Sequence, residues 1–115
     1  MKIALPIVLS MLLTGIAYGA DLSSKTLSGK WTFTHMILDG EKKVPVNLGM
    51  EFLPSGELIN YSQGGAEKSR ANYVIDQGVI HYTDKRGPQR WEVKQFDGDT
   101  LIVDHKGAEM FFTRP

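Results

Sequence analysis

The feature that most constrains this 115-residue chain is its punctuation: past residue 28, eight short β-type runs alternate with turn residues. The runs occupy residues 29–38, 48–53, 57–62, 69–75, 79–84, 89–96, 100–105 and 109–114. They are rich in Val, Ile, Thr, Phe, Tyr and Trp, which fit a pleated, half-buried surface. Between them stand breaks such as Asp39-Gly40, Pro54-Ser55-Gly56, Asp76-Gln77-Gly78, Asp97-Gly98-Asp99 and Lys106-Gly107. Each break supplies a residue that tolerates positive φ or a proline that cannot donate to a ladder. Asp97-Gly98 is expected to fill both positive-φ positions of a tight hairpin. No helical period competes with this pattern. Strands of about six residues at this spacing predict an antiparallel sandwich or barrel, and the short connections favour a meander. The longest connection, 39–47, carries Lys42-Lys43 and Pro45 and is expected as an exposed loop.

Period-two alternation sorts the faces. Trp31, Phe33, His35 and Ile37 are expected on one side of the first run, with Thr32, Thr34 and Met36 on the other. Leu48, Met50 and Phe52 form the apolar face of the second; Ala71, Tyr73 and Ile75 that of the fourth; Trp91 and Val93 that of the sixth. One apolar face per strand means one covered side. Eight such strands can close into an all-β up-and-down barrel, which removes exposed edges. Trp31, Phe33, Phe52, Tyr73, Trp91 and Phe112 are large enough together to fill much of so short a barrel. A shallow pocket at the mouth opposite Trp31 is the alternative, with Ile37, Met50, Tyr82 and Trp91 as its expected ligand-binding lining.

The N-terminus reads as an export signal over residues 1–19. Lys2 supplies its positive end, residues 3–16 are free of charge, and Ala17-Tyr18-Gly19 presents small residues for cleavage before Ala20. Pro6, Gly15 and Gly19 disfavour a membrane-spanning helix, so the membrane is a partner only through the signal before cleavage. Residues 20–28 form a polar lead-in, expected to be a flexible arm, and 29–115 form the single domain. Disulfides are usual in secreted eukaryotic domains this small, and the chain has no cysteine, so a bacterial periplasmic or secreted location is expected.

Composition also narrows function. The chain holds 13 basic and 13 acidic residues, and removing Lys2 leaves one acidic group in excess. With no basic run, nucleic acid is not an expected partner. His35, His81 and His105 sit on three different runs with no His-x-His or His-x-x-x-His spacing, so no metal site is expected. His105, beside Lys106-Gly107, is expected to be exposed. No serine has a histidine and an aspartate at a diagnostic spacing, and Gly64-Gly65 precedes no helix, so neither catalysis nor a cofactor is expected.

Ser28-Gly29-Lys30-Trp31 at the first run and Phe111-Phe112-Thr113-Arg114 at the last resemble the lipocalin-like (calycin) group of small β-barrels. That resemblance implies that Trp31 plugs one barrel end, that Gly29 allows close approach there, and that Arg114 lies across the indole. It further implies non-catalytic binding of a small apolar or amphipathic molecule. The chain departs from the larger lipocalins in having no residues left for a helix after the barrel. Ser23-Ser24-Lys25 leading into Ser-Gly-Lys-Trp is also similar to the periplasmic inhibitors of secreted metalloproteases. That second resemblance implies a protein partner gripped by the N-terminal arm, although those barrels normally carry a disulfide.

Overall fold

The computed structural model describes residues 17–18 and 21–115. The expected signal and its cleavage point lie outside the described residues, except for Ala17 and Tyr18. These two form a short strand, β1 (Ala17–Tyr18). A one-turn helix, α1 (Ser24–Leu27), precedes eight strands: β2 (Gly29–Leu38), β3 (Lys42–Phe52), β4 (Glu57–Tyr61), β5 (Glu67–Asp76), β6 (Val79–Asp84), β7 (Gly87–Phe96), β8 (Thr100–His105) and β9 (Ala108–Thr113). Each of these eight pairs antiparallel with the next, and β9 returns to pair with β2. The result is the expected closed up-and-down barrel. β1 runs parallel to the end of β7, where Gln95 and Phe96 extend past the last residue paired with β6.

Local chemistry explains the tight corners. Asp39-Gly40, Gln77-Gly78 and Lys106-Gly107 each place two successive residues at positive φ. That geometry matches the twist of the strands it joins. Asp97-Gly98 departs from the expectation: only Gly98 has positive φ. The Asp97 carboxylate instead accepts the backbone N–H groups of Asp99 and Thr100, at 3.0 and 2.8 Å. Those bonds hold its pKa below the ordinary value.

Two expectations fail for identifiable reasons. Residues 42–47 are not a loop but the first half of β3. Pro45 is tolerated because β4 pairs only with Met50–Phe52, so this stretch is laddered on one side alone. The lead-in is not a free arm over its described part. Ser23 caps α1 in a reciprocal capping box with Thr26, and Leu27 is fully buried. Leu22 also packs on the core.

The barrel is plugged at the end where β2 begins. Trp31 is 1% exposed, and its Nε1–H donates to the Leu27 carbonyl at 2.9 Å. The Arg114 guanidinium carbon lies 4.1 Å from the centroid of the Trp31 ring. Its nitrogens donate to the carbonyls of Gly98, Ser28 and Thr26 at 2.6, 3.0 and 2.6 Å. Gly29 has φ +116, a conformation that favours glycine. Phe52, Phe96, Leu58, Leu101 and Phe112 are fully buried above this floor.

Candidate functional site

The open end lies opposite, ringed by the hairpins at Asp39-Gly40, residues 62–66, Lys85-Arg86 and Lys106-Gly107. A cavity of about 530 Å³ enters there. Ligand pockets commonly occupy 300–1,000 Å³, so this volume suits one small molecule. Room exists because the large aromatics crowd toward the plugged half. Phe112 stacks on Trp91 at 5.5 Å and meets Phe33 at 4.8 Å, and Tyr82 stands edge-on to Trp91 at 5.2 Å. These rings form an aromatic floor. Above it, β5 presents only Ser69 and Ala71 inward, opposite Asn60 and Leu58. β5 also parts from β6 before Tyr73, which leaves residues 67–72 paired on one side. Lys68 and Ser69 therefore line one lip, and Asp84, Lys85 and Arg86 the other.

Of the four residues expected at the mouth, Met50, Tyr82 and Trp91 line this cavity and Ile37 does not. A bulge explains Ile37. Phe33 pairs with Leu48 and Phe112, but His35 pairs with Pro45 and Phe111. Asn47, at φ +58, is the extra residue on β3, and Thr34 is the extra residue against β9. One inserted residue reverses the inside–outside phase of everything after it. Met36 consequently faces Met110, a cavity-lining residue, while Ile37 faces Glu109 on the outer wall.

His35 changes sides with Ile37. Its ring stacks on Phe111 at 4.3 Å outside the barrel, and its Nδ1 is hydrogen-bonded to the Thr34 hydroxyl at 2.8 Å. His81 pairs with Val74 and Arg90, on the face opposite Tyr82. His105 is the histidine that turns inward, contrary to the expected exposure. Its ring stands 6.5 Å from Trp91, and burial, together with Lys106 and Arg86, pushes its pKa below the usual histidine value. The three rings therefore do not converge, and among the described residues no group of three His, Asp or Glu could hold a metal ion.

Sequence reasoning placed Phe33 inward only as barrel filling, and it missed Met110, the two lips and the buried Gln89 beside the lip residue Asp84. Gln89 is 4% exposed, and its amide nitrogen donates to Asp84 Oδ1 at 3.2 Å. Asp84 also accepts the Arg86 backbone N–H at 2.9 Å. Burial opposes ionisation of Asp84, but these bonds and the Arg86 charge outweigh it and hold its pKa below the ordinary value. Burial and the nearby Asp84 charge push the Tyr82 hydroxyl up. A signal for Gln89 was available: it occupies the inward phase of Trp91 and Val93.

No family model and no curated protein matches the chain. Solved structures do. A lipocalin-like protein from Bacteroides uniformis superposes with a TM-score of 0.66 at 17% identity, covering 78% of this chain and 99% of that one. An uncharacterized protein from Bacteroides eggerthii superposes with a TM-score of 0.66 at 13% identity, covering 77% and 99%. With the plug of Trp31 and Arg114 and the closed eight-strand meander, these likenesses show that the fold of this chain is a lipocalin-like β-barrel.

Proposed function

We propose that this protein is an exported, non-catalytic binder of one small apolar or amphipathic molecule, held in the open-end cavity. The observation that carries this reading is the cavity of about 530 Å³ above an aromatic floor. Phe33, Met50, Trp91 and Met110 supply apolar contact, and burying a ligand's apolar surface contributes about 25 cal/mol per Å² before ordering costs. Export rests on Lys2, the uncharged residues 3–16 and Ala17-Tyr18-Gly19. The plugged end supports a rigid cup with one entrance.

The test is a titration of the purified protein with the neutral fluorophore N-phenyl-1-naphthylamine. One saturable site per chain is expected. Ser69→Trp, which places an indole on the lip, should abolish it. Absence of saturable binding to the folded protein would overturn the reading.

A further inference from the structure

Charge at the open end is not balanced. Lys68, Lys85 and Arg86 line the cavity against one carboxylate, Asp84, although the chain as a whole is neutral. That carboxylate is already engaged. It accepts Arg86 Nη2 at 3.2 Å, the Arg86 backbone N–H at 2.9 Å and the Gln89 amide at 3.2 Å. Glu57 and Glu67 hold Arg70, and Glu92 lies against Arg90 and Lys94. Lys68 and Lys85 enter no ion pair among the described residues.

Lys68 reaches the cavity through a break in the strand pattern. Asn60 pairs with Ser69 but Tyr61 pairs with Glu67, so Lys68 is an extra residue at a bulge on β5. Strict alternation would keep Lys68 on the face of Arg70, away from Ser69. Instead Lys68 and Ser69 both line the cavity. The Ser69 oxygen accepts from the Asn60 amide at 3.3 Å, which leaves its O–H to donate. Lys85 stands across from them, at the tip of the corner where Asp84 pairs with Gly87. Since β5 and β6 pair only over Tyr73–Asp76 and Val79–Tyr82, these two lips are the walls of a cleft.

We infer that the molecule held here is a single-chain amphiphile with an anionic head, its tail on the aromatic floor and its head in the cleft between Lys68 and Lys85. The inference rests on the cavity reading above and deepens it by fixing the sign of the ligand's charge. Apolar walls rimmed by charges of one sign focus the field and concentrate the opposite ion. Both lysines are exposed, so the head meets hydrated ammonium groups and escapes the cost of burying a charge. An ammonium is a point charge without the planar fork of arginine, so carboxylate, sulfate and phosphate heads share the required chemistry: an anionic oxygen. A cationic head would find only Asp84, and would compete there with Arg86.

The test displaces N-phenyl-1-naphthylamine with decanoate, decyl sulfate, decanamide and decyltrimethylammonium at neutral pH and low salt. Wild type should prefer an anion over decanamide by at least about tenfold. That preference should shrink at least about threefold between about 10 mM and about 500 mM salt, where screening is nearly complete. Lys68→Gln with Lys85→Gln should bring the anions to the level of decanamide, whereas Lys94→Gln, an equal loss of charge on the outer wall, should retain the preference. The better of the two anions identifies the head. Equal affinity for anions and decanamide, or a preference that survives the double substitution, overturns the anionic head and leaves the cavity reading standing. Tightest binding by decyltrimethylammonium overturns it in favour of a cation at Asp84. If the neutral fluorophore itself does not bind, the cavity reading fails and this inference fails with it.

Discussion

A Cβ built on Gly29 would stand 3.0 Å from Nη1 of Arg114, the nitrogen that donates to the Ser28 carbonyl. The first residue of β2 and the penultimate residue of the chain thus share one small space. Both the missing side chain and the left-handed φ of +116 are needed there. Gly29→Ala is therefore expected to lower stability by about 1–3 kcal/mol through strain and displacement of the guanidinium. A urea titration checks it; an unchanged midpoint would show that Arg114 can move aside freely.

Arg114→Lys should be nearly as damaging as Arg114→Ala. An ammonium cannot reproduce a planar fork directed at the carbonyls of Gly98, Ser28 and Thr26. Loss of these charged hydrogen bonds should cost about 1.5–3 kcal/mol, and α1 should loosen first. Hydrogen exchange at the Leu27 amide, which donates to the Ser23 carbonyl at 2.9 Å, reports that loosening directly.

Trp31→Ala removes the largest side chain of the plug and the bond to Leu27. The expected loss is about 3–5 kcal/mol. Ligand binding at the opposite end should survive in whatever fraction remains folded, because Trp31 does not line the open-end cavity. Calorimetric unfolding and probe titration on the same sample separate the two effects.

Ile37→Ala should leave probe affinity within about twofold, since the bulge puts Ile37 outside. Met36→Ala should weaken it more, because Met36 sits opposite the cavity residue Met110. The reverse order would mean that the strand keeps its phase through Thr34.

The folded-state pKa of His105 lies below the ordinary 6.5 because burial disfavours the charged ring. The unfolded chain therefore binds this proton first as pH falls. Its contribution to stability is present above pH 6.5 and is lost as pH falls from there through the lowered folded value. Urea midpoints measured downward from pH 7.5 should decline over that window, and His105→Phe should flatten the decline. Glu67, Asp84 and Asp97 have lowered pKa values too, so their losses belong to more acid pH, below the ordinary carboxylate range.

Much of this architecture was legible in the residue order. Turn pairs such as Lys106-Gly107 mark corners because few residues adopt positive φ, and alternation marks covered faces because strand side chains repeat every two. The meeting of Gly29, Trp31 and Arg114 at one end was implied by the resemblance to lipocalin-like barrels, and the pairing of β9 with β2 is what brings them together. The lining at Met50, Tyr82 and Trp91 followed from the same alternation. Two signals were readable but ambiguous. Met36 breaks the polar face of β2, and Val44 and Val46 alternate through a stretch whose lysines and proline suggest a loop.

Only the tertiary structure decided the rest. Whether Thr34 and Asn47 are inserted residues depends on pairing with β9 and β3, and that choice moves His35 and Ile37 from the inside to the outside. His105 turns inward, and Gln89 finds Asp84 five residues away, through contacts that no spacing rule contains. A pattern of period two is local, so it specifies strands and faces; phase after a bulge and the partners of a buried polar atom are set by strands distant in sequence, and emerge only when the barrel closes.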